Sequence, residues 1–478
     1  MIEYFSDFMT WFENFIAVFM LTYVLFFLIL GVSSYLAIVK NFRSKYDLPK
    51  DLMLKSNQVP GVSVVVPAYN EGEVIVDNLK SFLSLQYPKF EVVVVNDGSN
   101  DDTLEKLILN FDLKKVDFYY DEKIKTKSVR GHYKSTNPVF DKLLVVDKFN
   151  GGSKADASNA GVNSSRYPLF ICTDMDCILK NDTISKLVLP FMTEKKRVIA
   201  TGAGIRISNS CKVKEGTIEE VRFPKELFPR FQELEYVRSF LFGRMAWSRM
   251  NALLLVSGGL GMFEKEAFFE AGGYYHHSFA EDFDLITRMR KLMHEKKEAF
   301  SIRYIAEPLC WTEVPDTLSL FMTQRSRWGR GLIQTIKIHR KIFFNPKYGI
   351  TGMLAFPYFV FFELLVPIIE LLGVIVFILA LVFLDVNLDF ILYLLLTVYL
   401  FYQVITLISI LIDEFIFKNY NNLKEILILI TMSMIEPVLY HPINTFAFLR
   451  GYWLFLTKKQ PKWGDMKRKG FEMRYLNS

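Results

Sequence analysis

Long apolar stretches constrain the fold of this chain more than any other feature of its sequence. An α-helix rises ~1.5 Å per residue and the hydrocarbon core of a bilayer is ~30 Å thick, so about 20 apolar residues can cross it. The stretches of this length are Phe15–Val39, Leu364–Leu384, Phe390–Ile412 and Ile426–Trp453. The sequence therefore predicts a membrane protein with a long soluble region between the first stretch and the others.

Flanking charges predict the orientation of the first stretch. Glu3, Asp7 and Glu13 precede it without any Lys or Arg, whereas a secretory signal peptide begins with basic residues. Lys40 and Arg43 follow at once, so the positive-inside rule places the N-terminus outside and the soluble region in the cytoplasm. We assign residues 1–49 to this helix and its linker.

The C-terminal hydrophobic region, 350–457, is predicted to cross the membrane several times. Pro437 and Pro442 interrupt its last stretch, and proline removes a helical hydrogen bond, so two short helices or a hairpin are expected there. Four later crossings then return the chain to the cytoplasm, where the basic tail, 458–478, is expected to lie. A re-entrant last block is the alternative.

Charge and cysteine content exclude other classes of protein. Lys and Arg number 57 against 51 Asp and Glu, and the net charge of +6 is too small and scattered to indicate nucleic-acid binding. With only 4 Cys in 478 residues the chain has no disulfide framework, and its cysteines are expected to be free thiols.

The soluble region, 50–316, alternates buried strands with helical stretches. Short apolar runs separated by helices predict an α/β domain whose strands are parallel. These runs are Val62–Val66, Val92–Val95, Leu143–Val146 and Leu169–Cys172. Residues 112–142, which are polar and mixed in charge, are expected to form an elaborated loop.

Polar signatures follow three of these runs. Ligands of parallel sheets bind beyond the carboxyl ends of the strands, and these signatures fall there: Tyr69-Asn70-Glu71, Asp97-Gly98 and Asp174-Met175-Asp176. Two carboxylates two residues apart can both face a divalent cation, which takes hard oxygen ligands and substrate phosphates. The sequence therefore predicts a metal-dependent site at this edge of the sheet.

At these residues the sequence resembles the family-two inverting glycosyltransferases, and more narrowly the membrane-embedded processive synthases of poly-N-acetylglucosamine, hyaluronan, chitin and cellulose. The resemblance runs from Val62 to about Gly331 and adds the arrangement of spans. Its ordered motifs are PAYNE, NDGS, the Lys154 segment SKADASN, DMD, Glu281-Asp282 and Gln324-Arg-Ser-Arg-Trp328. It implies a GT-A (Rossmann-like) domain inserted between α-helical transmembrane segments.

The resemblance also implies roles for single residues. Asp282 corresponds to the catalytic base, in a motif where Ala280 replaces the family's threonine. Asp174 and Asp176 correspond to the pair that binds Mg²⁺ or Mn²⁺. The residues matching the UDP-sugar donor site are Tyr69, Glu71, Asp97, Lys154 and Asp174, with Ser153 inserted before the lysine. Those matching the site of the acceptor and growing polysaccharide are Gly258, Gly259, Glu281, Gln324, Arg327 and Trp328.

The implied reaction is a single displacement that turns an α-linked donor into a β-linked product. UDP-N-acetylglucosamine is the first expectation for the donor. Interfacial helices over 317–349, with the QxxRW motif, would pass product to the spans, where Glu370 and Glu436 are expected to line a polar path.

Two other functions stay open at this stage. One is a non-processive transferase that adds one sugar to a lipid carrier, and the other is a transport or scaffold subunit with a vestigial transferase domain. The expected location in either case is a cell (inner) membrane with the soluble domain in the cytoplasm. Accessory export subunits are compatible with the sequence, which does not indicate whether they are needed.

Overall fold

A computed structural model describes residues 2–44, 59–214, 216–383, 388–418, 420 and 422–458. The tail predicted to be cytoplasmic lies outside the described residues from 459 onward. The strands are β1 Val62–Ala68, β2 Phe90–Asn96, β3 Leu113–Val116, β4 Val129–Ser135, β5 Leu143–Lys148, β6 Leu169–Cys172, β7 Ile178–Leu179, β8 Arg197–Ile207, β9 Lys212–Lys214, β10 Thr217–Glu220, β11 Gly261–Glu264 and β12 Phe300–Thr312.

The helices include both soluble and membrane-length elements. They are α1 Ile2–Ser44, α2 Ile75–Leu83, α3 Thr103–Asn110, α4 Lys154–Ser164, α5 Thr183–Thr193, α6 Leu227–Val237, α7 Met245–Arg249, α8 Lys265–Glu270, α9 Glu281–Lys296, α10 Leu318–Ile338, α11 Thr351–Phe383, α12 Leu388–Phe417 and α13 Leu423–Leu456. A π-helical segment, Arg238–Arg244, joins α6 to α7, and α11 contains π-helical turns over Thr351–Ala355 and Phe359–Leu364.

A ten-stranded mixed sheet forms the centre of the soluble domain, in the order β3-β4-β5-β2-β1-β6-β11-β8-β12-β7. The four predicted runs are its strands β1, β2, β5 and β6, and they are parallel to one another. Their valines and leucines are buried because helices cover both faces of the sheet, as an all-apolar run requires. The predicted α/β fold is confirmed.

The prediction of a loop over 112–142 is wrong. This segment forms β3 and β4, which pair antiparallel and extend the sheet at its β5 edge. In β4 only His132 is fully buried, while its neighbours are partly or fully exposed. β3 is the edge strand and β4 lies next to it, and both stay largely exposed, so neither has the continuous apolar run that predicts a buried strand.

The described residues contain four helices long and apolar enough to cross a membrane: α1, α11, α12 and α13. The break predicted at Pro437 and Pro442 is wrong, because α13 is one continuous helix of 34 residues. Pro437 cannot donate to the carbonyl of Ser433, and the Nε2 of Gln403 on α12 donates to that oxygen instead, at 2.7 Å. Three later helices of crossing length therefore replace the four expected.

Helix α10 of the soluble region packs closely against the membrane-length helix α13. The carbonyl oxygen of Ser326 lies only 2.3 Å from where a Cβ on Gly451 would be, and that of Phe448 lies 2.9 Å from the same point on Gly329. The Ser326 hydroxyl also donates to the carbonyl of Ala447 at 3.1 Å. Small residues on both helices thus allow a close backbone approach that side chains would prevent.

Candidate active site

Residues from four separate segments meet at the carboxyl-end edge of the sheet. Lys154 is the first residue of α4, Asp174 follows β6, Gly258 lies in the loop between α7 and β11, and Asp282 lies in the first turn of α9. The N-terminus of α4 is set by Ser153, whose hydroxyl accepts the N–H of Asp156 at 3.3 Å. Each segment therefore ends or begins a regular element, which fixes its position.

A chain of polar contacts joins these four residues. The Lys154 ammonium lies 2.5 Å from Asp174 Oδ1 and donates to the carbonyl of Gly258 at 2.9 Å. The N–H of the same glycine donates to Asp282 Oδ2 at 3.0 Å. Although burial lowers the pKa of Lys154, the carboxylates of Asp174 and Glu281 outweigh it and hold that pKa above its ordinary value. The lysine is therefore a permanent cation within this site.

Gly258 presents backbone groups to both the lysine and the aspartate. A Cβ at this position would lie 3.5 Å from the Lys154 ammonium and 3.6 Å from Asp282 Oδ2, which is ordinary van der Waals contact, so only a larger side chain would reach into the space between them. Its neighbour Gly259 accepts the Thr173 hydroxyl at 2.7 Å through its carbonyl, and a Cβ there would face Cys177 and Ile205 instead.

Asp174 and Asp176 can hold a divalent cation. Their carboxylate oxygens and the sulfur of Cys177 lie within 4.8 Å of one another. Carboxylates suit Mg²⁺ and Mn²⁺, whereas a thiolate favours softer metals, so the two aspartates fit as ligands and the cysteine does not. Two carboxylates leave positions for substrate phosphates, which these ions commonly bind.

Asp97 lies directly after β2 and is almost fully buried. Its Oδ1 accepts from the Lys148 ammonium at 2.5 Å and from the N–H of Gly151 at 3.0 Å. Burial raises the pKa of Asp97, and the lysine and the N–H oppose that rise. The Oδ2 of this carboxylate is buried and has no hydrogen-bond partner among the described residues.

Tyr69 and Glu71 lie on the adjacent turn after β1. The Tyr69 hydroxyl accepts from the side-chain amide of Asn100 at 3.4 Å, and the N–H of Glu71 donates to the Thr103 hydroxyl at 3.0 Å. Asn70 between them has a φ of +55°, a left-handed conformation that asparagine tolerates. The turns after β1 and β2 are therefore held against each other, as the sequence predicted for one site.

Glu281 and Arg327 connect the acid pair to α10. Burial and the charge of Asp282 raise the pKa of Glu281, while Lys154 and Arg327 act in the opposite direction. Gln324 lies one turn before Arg327 on α10 and Trp328 directly follows it, and all three side chains of the QxxRW motif are half-buried. The motif thus lies beside the acids of α9, although it is 42 residues or more away in sequence from them.

Sequence reasoning missed Arg325, the first arginine of the motif segment. It is fully buried, donates to both oxygens of Glu235 at 2.7 and 2.8 Å, and lies 4.0 Å from the centroid of the Trp328 ring. The guanidinium therefore covers one face of the tryptophan and leaves only the other for a ligand. The arginine was visible in the motif, but its partner on α6 was not.

Lys148 was also missed. It ends β5, and its buried ammonium bridges Asp97 at 2.5 Å and Asp156 at 2.6 Å. The signal in the sequence was a lysine at the end of an apolar run. Only the folded sheet places β5 beside β2, and therefore Lys148 beside Asp97.

A cavity of about 980 Å³ lies on the far side from Asp282. It is lined by Glu91, Leu143 and Pro168, near the amino ends of the strands.

Known proteins match this chain in both sequence and fold. A family model described as glycosyl transferase family 2 matches residues 63–120, and one described as glycosyl transferase family group 2 matches residues 218–411. The poly-β-1,6-N-acetyl-D-glucosamine synthase of Staphylococcus epidermidis is 27% identical over 285 residues, 59% of this chain and 57% of that protein. The Staphylococcus aureus (strain COL) synthase of the same name is 24% identical over 287 residues, 60% and 58% of the two chains.

A solved structure shares the fold. It is a mannosyltransferase from Pyrobaculum calidifontis in complex with GDP-mannose and Mn²⁺, which is 17% identical, aligns with a TM-score of 0.50 and covers 90% of this chain and 100% of that one. The mixed sheet with active-site loops at the strand ends is thus of the GT-A type.

The ordered motifs and the stretches that match the two family models make this chain similar to the family-two glycosyltransferases. Among them it resembles the poly-β-1,6-N-acetyl-D-glucosamine synthases. The chain spans a little over half the length of the curated relatives that it matches.

Proposed function

We propose that this chain is a processive β-glycosyltransferase that polymerises a UDP-sugar, first UDP-N-acetylglucosamine, and passes the polysaccharide into the membrane. The observation that carries this proposal is the continuous set of contacts from Asp174 through Lys154 and Gly258 to Asp282. It connects a candidate diphosphate site with a candidate base. The curated relatives named as poly-N-acetylglucosamine synthases support the choice of donor.

Asp282 is the proposed general base. Its Oδ2 accepts the N–H of Gly258 at 3.0 Å and its Oδ1 accepts that of Phe283 at 2.8 Å, so two donors orient the carboxylate. It takes the proton of an acceptor hydroxyl as that oxygen bonds to the anomeric carbon and the carbon–phosphate oxygen bond breaks. Attack opposite the leaving group inverts the anomeric centre and gives a β-linked product.

Lys154 and the aspartates of the DMD motif are proposed to bind the diphosphate. The lysine, already within 2.5 Å of Asp174, places a cation where the leaving group gathers negative charge. Asp174 and Asp176 would hold Mg²⁺ or Mn²⁺, which when bound neutralises charge on departing UDP. Tyr69, Glu71 and Asp97 are proposed to hold the uridine.

Acceptor binding is assigned to α10 and the glycine loop. Gly258, Gly259 and Glu281 lie next to the base, and Gln324, Arg327 and Trp328 lie on the helix that follows. With Arg325 on one face, the other face of Trp328 is the surface on which an acceptor sugar would stack.

Polar side chains link the π-helical segment that contains Arg238 to the membrane helices, and also link the membrane helices to one another. Arg238 binds both oxygens of Glu436, at 2.8 and 3.1 Å, and Glu370 on α11 accepts from His441 and Thr445 on α13, each at 2.7 Å. Glu436 is buried, which suits a structural role, whereas the Glu370 side chain is 36% exposed. Because an ion pair facing hydrocarbon is costly, we assign Glu370 and His441 to the lining of a product path.

The test is release of UDP by the purified full-length chain, with a panel of UDP-sugars and Mg²⁺ or Mn²⁺, while products are sized in parallel. Release with UDP-N-acetylglucosamine and long products supports the proposal. Release with only short, lipid-extractable products would instead support the lipid-carrier transferase. Absence of release with every sugar, in detergent and in native membranes, would support the transport or scaffold subunit.

A further inference from the structure

Lys148 occupies an unusual position for a lysine. Its side chain is fully buried at the end of β5, and its ammonium has three oxygen acceptors: Asp97 Oδ1 at 2.5 Å, Asp156 Oδ2 at 2.6 Å and the carbonyl of Phe149 at 2.7 Å. An ammonium has three N–H donors, so its hydrogen-bonding capacity is fully used within the protein. Lys148 therefore cannot bind a ligand itself and acts through the groups that it holds.

One of those groups belongs to the proposed donor site, and another lies beside it. Asp97 follows β2, and Asp156 lies in the first turn of α4, two residues after Lys154. The two buried carboxylates repel each other, and that repulsion adds to burial in raising the pKa of Asp97. One cation between them keeps Asp97 ionised and joins the turn after β2 to the start of α4.

The contacts also decide which oxygen of Asp97 still lacks a hydrogen-bond donor. Oδ1 accepts from both Lys148 and Gly151, while Oδ2 is buried without a hydrogen-bond partner among the described residues. A buried carboxylate oxygen in this state lacks a donor. Uracil offers one at N3–H, whereas cytosine has a bare acceptor at the same ring position and would face the carboxylate lone pairs.

We propose that Lys148 is a positioning residue that fixes Asp97 with Oδ2 directed at the base, and that it thereby sets the preference for uridine over cytidine nucleotides. This inference rests on the proposed function, because it takes the turn after β2 as the nucleoside end of the donor site. A site built around one N–H donor discriminates strongly against the analogue that lacks it.

The test is the dissociation constant of UDP and of CDP, measured by titration calorimetry on the full-length chain with Mn²⁺. Lys148→Met keeps the length of the side chain and removes its charge. We expect it to weaken UDP binding about tenfold or more and CDP binding much less, because a hydrogen bond to a charged group is lost in one case only. Lys142→Met, near the other end of the same strand and over the Phe90 ring, is the matched control and should leave both constants unchanged.

A double variant separates positioning from general damage. If Lys148 acts through Asp97, Lys148→Met combined with Asp97→Asn should bind UDP no more weakly than Asp97→Asn alone. The double variant removes one of the two carboxylates that lose their cation, while Asp156 still accepts the Lys127 N–H, so it serves where Lys148→Met does not fold.

The outcomes are distinguishable. Equal losses for UDP and CDP, or additive losses in the double variant, would overturn the role of Lys148. A natural chain that bound neither nucleotide would instead contradict the proposed function.

Discussion

The contacts of Arg325 allow a quantitative prediction for the QxxRW helix. Its guanidinium is 1% exposed, donates twice to Glu235 and also to the Tyr440 hydroxyl at 3.2 Å, and stacks on Trp328. Arg325→Met fills similar space without the charge. It leaves the Glu235 carboxylate without its cation, and it removes the support from one face of the tryptophan.

Breaking a buried ion pair costs about 3–5 kcal/mol. The Glu235 side chain is 24% exposed, and Tyr440 still donates to it at 2.5 Å, so the lower end applies, about 3 kcal/mol. For a domain of this size, a loss of about 1 kcal/mol in the free energy of unfolding lowers the melting temperature by about 2–4 °C. The apparent melting temperature should therefore fall by about 6–12 °C. Differential scanning fluorimetry of the detergent-solubilised protein measures this shift.

The matched variants are Glu235→Gln and the double variant. Removing both charges leaves no unpaired ion, so the double variant should be more stable than either single one, with a coupling of about 2–3 kcal/mol. Product should also shorten in Arg325→Met as Trp328 loses its support. Losses that simply add in the double variant, or a single-variant shift below about 2 °C, would refute the reasoning.

Three further predictions concern the metal, the membrane path and pH. Chelation by EDTA should abolish UDP release, Mn²⁺ or Mg²⁺ should restore it, and neither Asp174→Asn nor Asp176→Asn should recover on adding metal. Glu370→Lys should reduce secreted polymer more than UDP release, and equal loss of both in a folded protein would count against the path. Burial and the charge of Lys123 lower the pKa of Lys265 to about 8 in the folded protein. Between pH 8 and about 10.5 the unfolded chain therefore binds more protons than the folded one, so the free energy of unfolding rises with pH in this range. After allowance for its partial exposure, Lys265→Met should raise the melting temperature by about 2–4 °C at pH 7, an advantage that shrinks towards pH 10.

The sequence predicted those parts of the fold that produce a local pattern. The runs at Val62, Val92, Leu143 and Leu169 are each buried on both faces of the sheet, so each was uniformly apolar and each is a strand. β4 could not be found in this way, because His132 is its only buried residue and the others are partly or fully exposed. The break expected in α13 failed because the group that compensates for Pro437, the Gln403 amide, comes from another helix.

In the candidate site, too, the sequence predicted the residues that lie in local motifs but not those whose partners are distant in the chain. Glu71, Asp97, Asp174 and Asp176 follow strands in short motifs, and the sheet order β2-β1-β6 places those strand ends side by side, while Glu281 and Asp282 begin α9. Lys148 and Arg325 were not predicted as part of it, since their roles depend on Asp97, Asp156 and Glu235, which are 8–90 residues away in the chain. Residue type alone does not reveal a partner that only the tertiary fold supplies.

The most direct test of the central claim compares the natural chain with Asp282→Asn for UDP release and for product length, using UDP-N-acetylglucosamine and Mn²⁺. The amide side chain of this variant can still accept the Gly258 N–H but cannot take a proton. We expect long β-linked product from the natural chain, and neither polymer nor UDP release above background from a variant that still binds UDP. Polymer of normal length from Asp282→Asn would contradict this expectation.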